Sequence, residues 1–351
     1  MHRIDFIRAL GLAGLGMGGL GMGIPLMGRG ISSQNENTLP PLLVDSDGKS
    51  IETLEQWKFQ REVIKKRWLG YLGVVNPNPE TPKLIVLKEE KQDGLIRRYV
   101  EYEGEPGIMV RGFLLTPETL HEPLPGIVAM HSTSDNQMLY ISGAEKGEIV
   151  PFGSRLAQQG FIVFCPQCFL WHEKGELTYE QVTLLHMQRH PGSTGMAKML
   201  FDAQRAVDVL ESLAEVDSSR IGTMGHSLGA KEALYLGAFD DRIKVIVSNE
   251  GGIGIEMSNW DDIWYLGEEI HAFGHKHHEV LALAAPKPFL LIGGDSADGE
   301  QSRPYTEAVQ PVYDLYSKPR NLKLENHGQG HQAVPITEKW TYHWMHKHLK
   351  R

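Results

Sequence analysis

Apolar positions along this chain follow two periodicities, and the change from one to the other marks a change of architecture. Between Thr53 and Gly70, Trp57, Val63, Ile64, Trp68 and Leu69 sit among charges, which predicts a charged helix packed across the outside of the domain. Three β patterns follow, at Lys83 to Glu89, Leu95 to Glu103 and Ile108 to Thr116; the second sets Ile96, Tyr99, Val100 and Tyr102 among charges. They suit an antiparallel edge feeding a larger sheet. From Gly126 the texture changes. Short apolar runs at Ile127 to Met130, Phe161 to Phe164, Arg220 to Met224, Ile243 to Ser248, Pro288 to Gly293 and Asn321 to Glu325 alternate with helical patterns. Those helices are expected near Gly147 to Gln159, along the Met196, Leu200, Ala203, Val207, Leu210, Leu213 face, and at Ala230 to Phe239, Glu307 to Tyr316 and Ile336 to Leu349. Buried strands joined by helical crossovers imply an α/β fold with a mostly parallel central sheet covered on both faces. Residues 51–351 read as a single domain, of which 51–118 form a helical and β extension.

The stretch from Arg220 to Ala230 supplies the candidate chemistry. Gly225-His226-Ser227-Leu228-Gly229 fits G-x-S-x-G and stands between an apolar strand and a helix. That context suits a sharp turn presenting a serine hydroxyl, with glycines where side chains would clash. A serine is a weak nucleophile until an imidazole takes its proton and a carboxylate holds that imidazole in one tautomer. In folds built on such an elbow the chain order is serine, acid, histidine. His331, closing Gly328-Gln329-Gly330-His331 before the last helix, is the expected base, with His327 as the rival. For the acid, Asp298 is the expectation and Asp295 the alternative, both after Pro288 to Gly293. Glu250 ends the preceding strand and reads as a pocket-lining residue. The oxyanion hole is expected from the backbone N–H of Leu228 and one from the His131-Ser132-Thr133 turn, at Ser132 or Thr133. His131 and Trp260 are expected at the pocket. Trp260, Trp264 and Tyr265, within 251–280, fit either core packing or a cap over the serine offering flat faces to a sugar or acyl group.

The remaining features narrow the setting. Arg3 and Arg8 precede an uncharged run from Ala9 to Gly28, the layout of an export signal over residues 1–30. Arg3-Ile4-Asp5-Phe6-Ile7 resembles a twin-arginine signal in which Ile4 replaces the second arginine. Residues 31–50 read as a linker. A net charge of -9 without a basic block argues against nucleic acid as the partner. Cys165 and Cys168 are spaced C-x-x-C without a second pair, so they read as small buried residues near the sheet edge rather than a zinc site, with a local disulfide after export as the alternative. Sixteen histidines raise a metal hypothesis, and His275, His277 and His278 cluster; without an H-E-x-x-H pattern they read as a polar loop. His343, His346 and His348 read as a solvated helix face. Serine chemistry requires neither metal nor cofactor.

The run from Asp217 to Glu250, the LALAAPKPFLLIGGDSADG stretch, the HGQGH loop and the opening DSDGKSIETLEQWKFQREVIKKRWLGYLG resemble the dienelactone hydrolase and acetyl xylan esterase-like α/β-hydrolases. The resemblance covers nearly the whole chain after residue 44. It implies an α/β-hydrolase fold and a serine carboxylic-ester hydrolase with Ser227, Asp298 and His331 at the triad positions. Dienelactone hydrolases proper use a cysteine nucleophile, so Ser227 points towards esterases; His131-Ser132 also departs from the usual His-Gln or His-Gly. The expectation is therefore an exported, periplasmic or extracellular esterase removing acetyl or other small acyl groups from a carbohydrate or related small-molecule ester. The rivals are a serine peptidase of the prolyl-oligopeptidase type, disfavoured because no propeller-like repeat precedes the core, and a non-catalytic binding protein.

Overall fold

Thr53 opens the first helix with a reciprocal cap: its hydroxyl accepts from Gln56 N at 3.3 Å, and the Gln56 side chain accepts from Thr53 N at 3.0 Å. The helix, α1 (Leu54–Leu72), turns Trp57, Ile64, Trp68 and Leu72 into the main core and leaves Val63 and Leu69 outward. Fully burying an aromatic or aliphatic side chain of this kind stabilises by about 1.5–3 kcal/mol. The helix is thus a core element, not an external strap; Trp68 Nε1 also donates to Glu279 Oε2 at 2.8 Å.

The computed structural model describes residues 39–76, 80–133, 137–147, 150–171 and 177–350. The expected export signal lies outside these residues, as does residues 31–38 of the expected linker. The remainder of that linker packs down: Leu42 is buried in the core, and Val44 pairs with Ser50 across a turn.

Strands β1 (Ile85–Gln92), β2 (Leu95–Glu105), β3 (Ile108–Pro117), β4 (Leu124–Met130), β5 (Ile162–Pro166), β6 (Val216–His226), β7 (Ile243–Asn249), β8 (Phe289–Gly293) and β9 (Leu322–Asn326) form one sheet in the order β1-β2-β3-β5-β4-β6-β7-β8-β9. The first three are antiparallel, and β3 joins β5 antiparallel. From β5 through β9 every neighbouring pair is parallel. Side chains alternate across the strands, so Val128 of β4 and Ile246 of β7 enter one core while Ile127, Ala129, Val245 and Val247 enter the other.

Helices α2 (Gln137–Ile141), α3 (Phe152–Gln158) and α10 (Pro335–Leu349) contribute to the second core. Helices α4 (Tyr179–Arg189), α5 (Gly195–Glu211), α6 (Leu228–Phe239), α7 (Ile270–Phe273), α8 (His278–Leu283) and α9 (Arg303–Leu315) join α1 in the first. This is the α/β-hydrolase architecture. Cys165 and Cys168 are buried free thiols, and Cys165 lies on an internal strand instead of near the sheet edge. Among the described residues no helix is long and apolar enough to cross a membrane.

Candidate active site

The parallel strands β4 to β9 all point their C-terminal ends to one edge of the sheet, and the site is built there. Strand β6 runs directly into Ser227, which adopts φ 58° and ψ −118° before α6 begins at Leu228. A positive φ is costly for serine and persists only where the surroundings impose it. Here Ser227 N donates to Asn249 O at 2.9 Å, pinning the turn to the end of β7. The two motif glycines are sterically required. A Cβ on Gly225 would stand 2.1 Å from Gly229 O, and one on Gly229 would stand 2.4 Å from Met130 O.

His331 reaches this serine from the loop after β9, with Nε2 2.9 Å from Ser227 Oγ. Gly328 at φ 63° and Gly330 at φ 81° allow the reversal, and Gly330 N donates to Gly294 O at 2.7 Å. The other imidazole nitrogen, Nδ1, lies 3.0 Å from Glu250 Oε2. Glu250 is buried at the end of β7 with φ 57°, and its carboxylate also accepts from Ala297 N at 2.9 Å and from Gly294 N. Those two amides come from the loop after β8, so the loop expected to supply the acid instead holds it. The two backbone donors fix the carboxylate with Oε2 towards His331, where it accepts the Nδ1 proton. That leaves Nε2 as the acceptor facing Ser227.

The acid beside His331 is therefore Glu250, and neither Asp298 nor Asp295 occupies that place. Asp298 is fully buried and spent on the fold: it accepts from Gly252 N at 2.7 Å, Ile253 N at 2.8 Å and Ser302 Oγ at 2.7 Å. Burial holds its carboxyl above the usual range. Asp295, at φ 61°, accepts from Asn326 Nδ2 at 2.6 Å and Glu300 N at 3.2 Å and shapes its own loop. His327 is likewise a loop residue, donating its N–H to Gly293 O at 2.8 Å and accepting Gln329 N on Nδ1 at 3.2 Å. The Glu250 signal in the sequence is local: a carboxylate at a strand end followed by Gly251 and Gly252.

The turn after β4 lies against the elbow, as the close approach of Gly229 to Met130 and His131 shows. Ser132 is buried, and its hydroxyl bonds the His226 carbonyl at 3.0 Å and His226 Nδ1 at 2.8 Å. The His226 ring in turn packs 5.2 Å from the His331 ring, centroid to centroid; burial and the neighbouring His331 charge press its pKa down to about 3, so it stays neutral. Two expected pocket residues prove structural. His131 is buried, with Nδ1 on Ser132 O at 2.8 Å and Nε2 accepting Cys168 N at 3.0 Å, so it ties the end of β4 to the chain beyond β5. Trp260 is wholly buried, donates to Gly252 O at 2.6 Å, and packs against Tyr235, Tyr265 and His277. Ile253, Ile255, Tyr265, Leu266 and Ile270 are buried with it, so much of 251–280 is core in place of a cap.

The clustered histidines also diverge. His277 is buried between Tyr235 OH at 2.9 Å and Ile253 O at 3.0 Å; His278 meets Pro40 O at 3.0 Å; His275 meets Glu279 at 2.9 Å. A different group, Glu105, His186 and His190, brings potential metal-ligand atoms within 4.8 Å of one another. Lys198 already closes it, with Nζ 2.5 Å from Glu105 and 2.6 Å from Asp202, and His190 bonds the same Glu105. The arrangement is a buried ion-pair network in which the ammonium takes the cation's part. The network leaves no local pattern in the sequence, because Glu105, His186 and Lys198 are brought together only by tertiary packing.

An α/β-hydrolase fold with a serine at its elbow, a histidine on that serine and a carboxylate on that histidine defines a hydrolase of the serine type. The dienelactone hydrolase family model matches residues 110–263, a segment that contains Ser227 and Glu250. Among curated proteins, the chain is 23% identical to a 4-O-methyl-glucuronoyl methylesterase of Phanerochaete carnosa, over 84% of this chain and 76% of that protein. Among solved structures, a glucuronoyl esterase from Solibacter usitatus matches with TM-score 0.72 and 18% identity, covering 88% of this chain and 97% of that one. A Bacteroides fragilis protein assigned as an acetyl xylan esterase matches with TM-score 0.66 and 14% identity, over 83% and 79% of the two chains.

Proposed function

We propose that this protein is an exported serine carboxylesterase acting on carbohydrate esters, with Ser227 as nucleophile, His331 as base and Glu250 as the orienting acid. The observation that carries the reading is the continuous line from Glu250 Oε2 to His331 Nδ1 at 3.0 Å and from His331 Nε2 to Ser227 Oγ at 2.9 Å. The carbohydrate part rests on what the similar proteins are named for.

In this mechanism Ser227 Oγ attacks the ester carbonyl as His331 Nε2 takes its proton, and Glu250 stabilises the imidazolium that forms. The Leu228 N–H, at the open N-terminus of α6, and an N–H of Ser132 or Thr133 hold the negative charge on the tetrahedral oxygen. His331 returns the proton to the departing alcohol. Water, activated by the same histidine, then releases the acid from Ser227. Two ester classes fit this chemistry: acetyl esters of sugars, where the sugar is the leaving alcohol, and esters of glucuronic acid, where the sugar is the acyl part.

The test compares hydrolysis of acetylated xylo-oligosaccharides, methyl glucuronate and peptide anilides by the wild-type chain and Ser227→Ala. Turnover of either sugar ester that disappears with Ser227, alongside inert anilides, supports the reading. Cleavage of anilides alone points to a peptidase, and silence towards every substrate points to a binding protein.

A further inference from the structure

Three partly exposed aromatic rings, at Trp171, Tyr179 and Trp264, have no role in the chemistry above. Trp171 closes the short helical turn after β5, Tyr179 begins α4, and Trp264 lies in the segment between β7 and β8. Trp171 and Tyr179 have ring centroids 5.0 Å apart with planes inclined by 56°, and Tyr179 and Trp264 meet edge to face at 5.9 Å and 74°, which makes a contiguous, angled aromatic shelf. It is joined to the oxyanion turn at both ends. The His131 ring meets Trp171 edge-on at 5.0 Å, and Tyr265, in ring contact with Trp264 at 6.2 Å, hydrogen bonds Thr133.

The shelf is firmly seated. A Cβ on Gly195 would come within 2.3 Å of Trp264 O, so the Trp264 backbone rests directly on the start of α5, and Met196 N donates to Tyr265 O at 2.8 Å. The buried undersides of Trp171, Tyr179 and Trp264 pack on the main core. Its rim carries three carboxylates: Glu180, exposed beside Tyr179; Asp261, paired with His271 at 3.2 Å; and Asp262, which accepts from Asn259 Nδ2 and lies within electrostatic reach of both Glu180 and Lys231.

We propose that Trp171, Tyr179 and Trp264 form a subsite for a neutral pyranose ring of the ester substrate, adjoining the oxyanion turn. Flat aromatic faces cover the apolar C–H face of a sugar ring, and their rigidity lowers the entropy lost on binding. Carboxylates at the rim accept the equatorial hydroxyls, which an aromatic alcohol would not offer in number. The same charges repel a uronate, so the ring seated here is an uncharged neighbour of the esterified unit. The inference rests on the carbohydrate-ester reading, and its test does not depend on turnover.

Xylotetraose is titrated by calorimetry into the full chain carrying Ser227→Ala, alone and combined with Trp171→Ala, Trp264→Ala, Trp264→Phe or Tyr179→Ser. Thermal unfolding of each variant identifies any that fails to fold. The expected result is measurable binding, weakened at least tenfold by Trp171→Ala and Trp264→Ala, less by Tyr179→Ser, and largely restored by Trp264→Phe. Equal binding by all folded variants, or none by the Ser227→Ala parent, overturns the subsite. Binding of benzyl alcohol in place of the sugar, lost in the same variants, overturns the pyranose assignment. Failure of the esterase reading would appear separately, as wild-type hydrolysis indifferent to Ser227.

Discussion

Glu250 faces His331 across 3.0 Å, although two aspartates stand in the loop that follows the next strand. The consequence is a division of labour between carboxylates. Glu250→Gln should lower kcat on a soluble ester by about 10³–10⁴-fold with little change in KM, because it loses the tautomer control and charge stabilisation that the imidazolium needs. Asp298→Asn should act on the fold. It leaves a buried backbone N–H of Gly252 or Ile253 poorly paired, at a cost of about 1–3 kcal/mol. Steady-state kinetics and thermal unfolding on both variants check the division, and a loss of kcat confined to Asp298→Asn would reverse the assignment.

The elbow glycines give a second prediction. Gly225→Ala places a methyl 2.1 Å from the Gly229 carbonyl, a backbone atom that cannot swing away. The cost should reach or exceed the roughly 1–3 kcal/mol of an overpacked core. Gly107, unlike Gly225, has a positive φ, 78°, and Gly107→Ala meets nothing within 4 Å of the new methyl. It should cost only the left-handed backbone penalty of about 1–2 kcal/mol. Denaturant unfolding should rank Gly225→Ala as the more destabilising.

A third prediction concerns pH. Burial raises the Glu232 carboxyl to about 8, with the Cys168 thiol as its hydrogen-bond partner. The folded protein therefore keeps this proton while the unfolded chain releases it near the ordinary glutamate value. Stability associated with Glu232 is present at low pH and declines as pH rises from about 4.5 to about 8. Burial lowers Lys231 to about 7, so its contribution has the opposite sign, with stability increasing between about 7 and 10.5. Glu232→Gln should thus gain on the wild type as pH climbs towards 8, measured as the difference in unfolding midpoint across that window. A pH-independent difference would contradict a buried, protonated Glu232.

Much of this molecule could be read from the pattern of its residues, for definite reasons. The parallel strands are short and apolar because both of their faces are covered, so Ile127 to Met130 and Ile243 to Ser248 stand out in the chain. The elbow is legible because its glycines answer a steric demand that acts within five residues. The acid was not legible, since serine, acid, histidine order is satisfied equally by Glu250, Asp295 and Asp298. What separates them is which strand end lies beside β6, and the loop amides of Gly294 and Ala297 that turn Glu250 towards His331. Trp260 shows the same limit in a different form. Its surroundings in sequence are polar and glycine-rich, yet Lys231 lies over its ring at 4.1 Å and Tyr235 packs beside it, both from α6. Helix α4 does not stand out in the sequence because its buried face is Val182, Thr183 and His186, two of them polar, while Leu184 is exposed.

The central claim, that Ser227 is activated by His331 under the hold of Glu250, is tested most directly by covalent labelling with a fluorophosphonate followed by peptide mass analysis. The account predicts one adduct, on Ser227, absent in Ser227→Ala and formed far more slowly in Glu250→Gln than in Asp298→Asn. A label on another residue, or equal labelling rates in the two carboxylate variants, would contradict it.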